Sequence, residues 1–439
     1  MKVLLVQPSQ LSEEGTVRKS KRAWLPGLAL PMVAALTPPE VEVEIEDEYL
    51  RAIDFESDAD LVGITSMTTQ AERAYQLAGE FRRRGKPVVM GGIHVSALPE
   101  EATQYCDAVV VGEAELLWGK VITDFRQGCL QRVYRTDQRH DLQGLPVPRT
   151  DLLPLHRYSI PVIPVQTSRG CPHRCDFCIV TEFFGGTYRF RPVDEVVREI
   201  EIQKARFKEK RKKIIFFADD NIAANRAHAR ELFKALIPLK IPWACQCTLN
   251  VTDDPQLLDL AVESGCIHMF IGIETINAAS LKGVNKSFNR VEKYEKALGT
   301  LRRKGIHVEA SMIVGFDEDR EDIFDSMLAF LTKNKLSFAV IFALTPLPGT
   351  RLFKRLEEEG RLLHKTWSKY TYTIPAFRPK HLTPEEVETG LWHIYDNFYS
   401  LRSICSRLLF PPRRWVTVAL ARNMEYRDNV RRRVHPMVG

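Results

Sequence analysis

Thr167-Ser168-Arg169-Gly170-Cys171-Pro172-His173-Arg174-Cys175-Asp176-Phe177-Cys178 gathers three cysteines into eight residues. Gly170 and Pro172 keep this stretch out of helix, so that three sulfurs can turn toward one centre. A four-iron cubane held by thiolates carries one ligand per iron, so three cysteines leave one iron open for a small chelating ligand. That separates the pattern from four-cysteine electron carriers. A structural zinc loop is the alternative, with His173 the only nearby fourth ligand.

Downstream of the cysteines, short apolar runs alternate with amphipathic helical patterns. Strands are expected at 165–168, 214–218, 243–248, 268–273, 308–314 and 338–344, with helices at 194–206, 255–264, 290–303 and 320–333. Six such units make a partial parallel (β/α)6 barrel, short of the eight that close a full one. The cysteine stretch follows the first strand, on the loop side where barrel sites are built.

Upstream, runs at 3–6, 41–45, 61–65, 88–90 and 108–111 alternate with helical patterns in the same way. They predict a doubly wound, Rossmann-like parallel sheet with ligands at the carboxyl ends of its strands. The fold class is therefore α/β, with a first domain over 1–130, a linker over 131–163, the barrel over 164–360 and a helical C-terminal extension over 361–439. The linker is marked by Pro146, Pro148, Pro154 and Pro161 and by the lack of any sustained period, with Pro164 at its margin. In the extension a helix is expected from Pro384 to about Leu409.

The 439 residues are 44% hydrophobic and 27% charged, which excludes disorder for most of the chain. Nine cysteines, with three in one cluster, fit metal ligation rather than a disulfide framework. No apolar run reaches the length of a membrane span and the N-terminus lacks the flanks of a signal peptide, which points to the cytoplasm. The net charge of +6 is concentrated near the C-terminus, at Arg413, Arg414, Arg422, Arg427, Arg431, Arg432 and Arg433. This is read as a solvated face; peripheral contact with an anionic membrane stays open, and no nucleic-acid partner is expected.

The C-x3-C-x2-C spacing on such a barrel, with Phe177 before the last cysteine, resembles the radical S-adenosylmethionine (SAM) superfamily. The resemblance implies a [4Fe-4S] cluster on Cys171, Cys175 and Cys178. Its open iron binds the amino and carboxylate groups of SAM, whose reductive cleavage yields a 5′-deoxyadenosyl radical. SAM contacts then carry over to Phe177, Asp219, Asp220 and Asn221 after the second strand, Gln246 and Asn250 at the third, Glu274 at the fourth and Gly315 at the fifth. Asp219 and Asp220 suit the SAM ammonium, with a helix N-cap as the plain alternative. Glu274 suits a ribose hydroxyl or the orientation of arginines. Leu347-Pro348-Gly349-Thr350 resembles the segment near the adenine, or is simply a turn.

The first domain resembles the cobalamin-binding fold found ahead of many such barrels. The resemblance rests on 61–66, 88–96 and 109–115, and it places cobalamin contacts at Ser66, Met67, Thr68, Gly91, Gly92, His94, Gly112 and Glu113. His94 is expected beside the nucleotide tail rather than on cobalt. The loop after the first strand, Pro8-Ser9-Gln10-Leu11-Ser12-Glu13-Glu14-Gly15, holds no histidine. Cobalamin is thus expected without a histidine lower ligand, its lower face meeting the 66–69 loop.

Together the two resemblances imply a cobalamin-dependent radical methyltransferase that activates an unreactive C–H bond and methylates it. The alternatives are a radical cyclase, a ring-contracting or another C–C bond-forming enzyme on the same domains, and a non-catalytic iron–sulfur or cobalamin sensor. Expected partners are a small-molecule or lipid-like substrate and an electron donor such as flavodoxin or ferredoxin. Tyr188, Arg191, Phe342, Trp367 and Tyr370 are candidates for the substrate pocket.

Overall fold

The computed structural model describes residues 1–437 except Glu13, 20–24, 159–161, 207–213 and 410–414. Glu13, Pro161, Arg413 and Arg414 therefore lie outside the described residues.

Six parallel strands form the first sheet: β1 (Lys2–Gln7), β2 (Glu42–Asp47), β3 (Leu61–Thr65), β4 (Val88–Gly91), β5 (Ala108–Val111) and β6 (Val133–Arg135). Their order is β2-β1-β3-β4-β5-β6, so the chain reverses direction across the sheet between β1 and β3. In an open parallel sheet that reversal opens a crevice at the carboxyl ends. β6 falls in the stretch expected as a linker; three residues pairing on β5 are too short to leave a periodic signal.

Alternation along these strands builds two apolar layers. Val3, Leu5, Leu61, Val89 and Val110 face one way with Trp118, whereas Leu4, Val62, Ile64, Met90 and Val109 face the other with Tyr75 and Phe81.

After β6 comes β7 (Val162–Val165), then the two-residue strands β8 (Ser168–Arg169) and β9 (Arg189–Phe190), which pair antiparallel around the cysteine loop. The second sheet continues with β10 (Ile214–Phe217), β11 (Trp243–Cys247), β12 (Cys266–Glu274), β13 (His307–Val314) and β14 (Phe338–Ala343). Its order, β7-β10-β11-β12-β13-β14, is that of a parallel barrel left open on one side. The strand expected at 165–168 lies three residues earlier. Pro164 is tolerated there because β7 is an edge strand, and the amides of Thr167 and Ser168 turn away to a carboxylate on the neighbouring strand end.

At the other edge, the helix Pro384–Phe398 covers β14. The hydroxyl of Tyr395 accepts from the Ile341 amide (2.8 Å) and donates to the Ile341 carbonyl (2.9 Å). The Tyr399 hydroxyl does the same for Ala339. Four residues of helix advance about 6 Å and two of strand about 6.6 Å, so the two tyrosines fall in register with the open edge. The helix expected from 384 to 409 is broken here: Ser400 caps a second helix, Leu401–Leu408. A third, Val416–Arg431, packs on both.

The C-terminal extension also reaches the first domain. Trp367, Tyr370 and Ala376 sit in the same apolar cluster as Val62 and Met90, and the Trp367 indole donates to Glu101 over 2.8 Å.

Candidate functional site

The cysteine loop is held from below by one side chain. Asp219, fully buried just after β10, accepts from the amides of Thr167 (2.6 Å) and Ser168 (2.8 Å) and from the Thr167 hydroxyl (2.6 Å). Burial pushes its carboxyl up to about 6 even with these bonds. Its oxygens are spent on shaping the loop, and neither it nor Asp220 caps a helix, since Asn225 does that. Asp220, half-buried, accepts from the Gly170 amide (2.9 Å), and burial pushes it up to about 6 as well. Gly170 has φ +87, and a Cβ there would run into the Thr187 carbonyl; only glycine fits.

Asn221 exchanges hydrogen bonds with Thr248 across β10 and β11 and also bonds Cys171. Thr248 in turn donates to Asn250 (2.5 Å). Gln246 alternates with the core residues Cys245 and Cys247, which places it on the barrel's interior face. The Gly315 amide donates to Asp319, a fully buried acid that sequence reasoning passed over, and which burial pushes up to about 6.

Glu274 does not meet an arginine. It accepts from Lys286 (2.5 Å) and Ser311 (3.2 Å). Burial works to lower the Lys286 pKa, but the Glu274 carboxylate outweighs it and the ammonium stays charged. That ammonium lies 5.7 Å from the ring centres of both Phe177 and Phe288 and acts electrostatically on all three cysteines. Lys286 carries no motif that its sequence alone would reveal; only the fold brings it to the cluster loop.

Cys171, Cys175 and Cys178 are half-buried, and burial pushes the Cys175 and Cys178 thiols up to about 11 and about 12. A zinc ion about 2.3 Å from each thiolate would need sulfurs roughly 3.8 Å apart. Among the described residues no three His, Cys, Asp or Glu side chains are close enough to clasp one ion. His173 is stacked on Phe288 with ring centres 3.6 Å apart. That stacking engages the one nearby fourth ligand the sequence offers a zinc loop.

A second feature lies against the first sheet: a cavity of about 250 Å³ along the face that carries Leu5, Gly63, Val89 and Trp118. Gly91, Gly92, Gly112 and Glu113 line its mouth, and Gln166, Arg169, Phe183 and Phe184 close it from the barrel side. At Gly92 φ is +98, and a Cβ would stand 2.7 Å from Thr65 Oγ1. Arg169 joins the two halves: its guanidinium donates to Glu113 (2.7 Å) and Glu115 (2.5 Å), and Arg189 adds a further pair to Glu113 (2.9 Å).

Three of the expected cobalamin contacts, Ser66, Met67 and Thr68, stay outside this cavity. Met67 is half exposed at the end of β3, while Ser66 and Thr68 are buried. Gln10, in the histidine-free loop after β1, donates to Thr69 and draws the two strand-end loops together.

His94 departs from the expectation of a place beside a nucleotide. It is fully buried on the opposite face of the sheet, with Nε2 3.1 Å from the Tyr75 hydroxyl and its ring edge-on to Trp367. Trp367 and Tyr370 are likewise core rather than pocket, and Phe342 stacks on His435. Tyr188 donates to the Asn221 carbonyl, while Arg191 bonds Glu199 and borders the cavity. The Leu347–Thr350 segment is a turn whose Thr350 caps the next helix, with Gly349 against Ala97 of the first domain.

Residues 165–331 match the Radical SAM superfamily, and residues 31–119 match the B12 binding domain. The chain is similar to the bacteriochlorophyllide d C-12(1)-methyltransferase of Chlorobaculum tepidum, 31% identical over 94% of this chain and 91% of that one. It belongs to the cobalamin-dependent radical SAM methyltransferases. The hopanoid C-2 methylase of Rhodopseudomonas palustris is a further relative of this methyltransferase, 29% identical over 83% of this chain and 71% of that one. In fold the methyltransferase is like TsrM from Kitasatospora setae, a radical S-adenosylmethionine methyltransferase solved with cobalamin and a [4Fe-4S] cluster bound, with a TM-score of 0.70 at 17% identity over 99% of each chain.

This radical SAM methyltransferase uses S-adenosylmethionine, a [4Fe-4S] cluster and cobalamin. The loop of three free, half-buried cysteines and the glycine-lined cavity fit the last two. No helix among its described residues is long and apolar enough to cross a membrane.

Proposed function

We propose that this methyltransferase places a methyl group on an unreactive carbon of an apolar, ring-bearing small molecule, at the junction of the cavity and the cysteine loop. The observation that carries the reading is Arg169: two residues ahead of Cys171, it is bonded to Glu113 and Glu115 at the end of β5. One side chain thus fixes the distance between the two cofactor regions. The substrate class is supported by relatives named for bacteriochlorophyllides and a hopanoid, all polycyclic and largely apolar.

In this reading Cys171, Cys175 and Cys178 hold the cluster, and Asn221, Asn250 and Gln246 offer polar groups to SAM from the ends of β10 and β11. Asp220 keeps one oxygen for the SAM ammonium, and Lys286, kept charged by Glu274, faces its carboxylate. The cavity beneath Gly91, Gly92 and Gly112 would hold part of cobalamin, with Met67 exposed at the end of β3 as a further contact for it. When bound, the cofactors supply the methyl group and the radical; the chain orients them and keeps water out, with Phe183 and Phe184 closing the barrel side. The domain limits 1–130, 131–163, 164–360 and 361–439 remain our division of the chain, except that β6 extends the first unit to Arg135.

The test is anaerobic reconstitution with iron, sulfide and hydroxocobalamin, followed by incubation with methyl-labelled SAM and extracts fractionated by polarity. Label is expected in an apolar fraction, with S-adenosylhomocysteine and 5′-deoxyadenosine released together. Label confined to a polar or peptide fraction would overturn the substrate class.

A further inference from the structure

The cysteine loop has a closed side and an open side. On the closed side the helix Ile179–Phe184 packs on the first domain's Ile93–Ala97, and Gly349 lies against Ala97 and Ile179. On the open side Pro172 and Arg174 are exposed, and the loop is held largely through its own backbone groups. Asp176 donates to the Val284 carbonyl (3.1 Å), Leu352 donates to the Asp176 carbonyl (2.9 Å), and the Asn285 side chain donates to the Arg174 carbonyl (2.9 Å). The helices Ala278–Gly283 and Arg351–Glu358 therefore flank the loop at the surface.

Both flanks present cations there. Lys282 is exposed at the end of the first helix, and Arg351 and Lys354 are exposed in the opening turn of the second, with Arg355 beside them. That second helix has no acid in its first turn, where the helix dipole favours acids and disfavours cations. The arrangement works against helix stability and raises the positive potential over the cysteines. Asp176 and Glu182 lie 3.8–4.0 Å from Arg351 and Arg355 and only partly offset it. Glu357, Glu358 and Glu359 stand at the far end of the helix.

We propose that Arg174, Lys282, Arg351 and Lys354 form the docking surface for an acidic one-electron carrier protein that reduces the cluster. The proposal rests on the radical SAM reading and adds to it the route by which the electron arrives. The carrier loses one electron and is oxidised, and the cluster gains it and is reduced; no covalent bond forms or breaks at this step. The open side is the short way in, because the first domain covers the other. Charge complementarity selects a carrier with an acidic face and speeds its encounter, an effect that salt weakens.

The double variant Lys282→Glu/Lys354→Glu tests this in the reconstituted holoenzyme. Both side chains are exposed in helices that accept glutamate. Reduction of the cluster is followed anaerobically by absorbance in stopped flow, with a reduced acidic flavodoxin as one donor and dithionite as the other. With flavodoxin at low ionic strength the bimolecular rate should fall roughly tenfold or more, and the deficit should shrink as salt is added. With dithionite the variant should match the parent in cluster reduction and 5′-deoxyadenosine yield, and Lys282→Gln/Lys354→Gln should fall between. An unchanged flavodoxin rate would overturn the docking surface, as would an equal loss with dithionite. Failure of the parent itself to release 5′-deoxyadenosine with dithionite would instead sink the radical reading beneath it.

Discussion

Arg169 Nη1 lies 2.7 Å from Glu113 Oε1, joining the approach to the cluster cysteines to the end of β5. Both side chains are buried, and Glu115 and Arg189 complete a balanced group of two cations and two anions. Removing Arg169 leaves two buried carboxylates with one partner between them. Breaking a buried pair in this way costs about 3–5 kcal/mol. Arg169→Met should lower the thermal midpoint and release cobalamin on gel filtration, whereas Glu113→Gln, which keeps a hydrogen-bond acceptor for both arginines, should do less. Equal midpoints for Arg169→Met and the parent would show that the group holds nothing together.

The Glu274–Lys286 pair sits at the other side of the same loop, buried beneath Phe177. Lys286→Met should strand the Glu274 charge and destabilise by about 3 kcal/mol or more, while Lys286→Met/Glu274→Met should recover much of the loss, because an apolar pair can replace a buried ionic one at little cost. Denaturant midpoints of the single and double variants check this. The reconstituted clusters of the two variants should also differ from the parent in reduction potential, since both lose the ammonium that faces all three cysteines. A potential unchanged in both would remove Lys286 from the cluster's surroundings.

Features whose position follows from local spacing were legible in the chain. Cys171, Cys175 and Cys178, the glycines at 91, 92 and 112, and the strand-helix alternation all declare themselves within a few positions. Residues whose role depends on which face of a sheet they occupy were not. His94 directly follows the Gly-Gly-Ile turn after β4, yet its ring points away from the cavity into the layer shared with Trp367, some 270 residues later in the chain. Lys286 and Asp319 carry no periodic or motif signal; Lys286 lies in the loop after the helix Ala278–Gly283 and Asp319 in the turn after β13. Asp219 illustrates the converse: the sequence marks it as an acid at a strand end, but the fold spends that acid on Thr167 and Ser168.

Edge protection by Tyr395 and Tyr399 offers a stability test remote from the chemistry. Tyr395→Phe would leave the amide and carbonyl of Ile341 buried without partners. Two such groups cost about 2–6 kcal/mol together. The change should also speed hydrogen exchange at Ile341 while leaving the exchange of β1 and β3 unaltered. A loss below about 0.5 kcal/mol would mean that other groups or water take over the edge.

His435 supplies the pH dependence. Its ring is buried, stacked on Phe342 at 5.0 Å, and burial lowers its pKa to about 3. In the unfolded chain the same group titrates near 6.5. Below that value the unfolded state binds a proton that the folded state refuses, so stability falls as pH falls from about 6.5 toward 3. At pH 5 the loss from this group is about 2 kcal/mol relative to pH 7. Asp219, Asp220 and Asp319, which burial raises to about 6, work in the opposite sense over part of the range, so the parent's total slope is a sum. The comparison that isolates His435 is therefore the difference between parent and His435→Gln across pH 7 to 5, measured by chemical denaturation of the apoprotein. Whatever packing the substitution removes shifts both ends alike, and the difference should narrow by about 2 kcal/mol as the pH drops. A difference that stays constant would show that the ring accepts its proton in the folded protein, and that the C-terminal turn opens to let it.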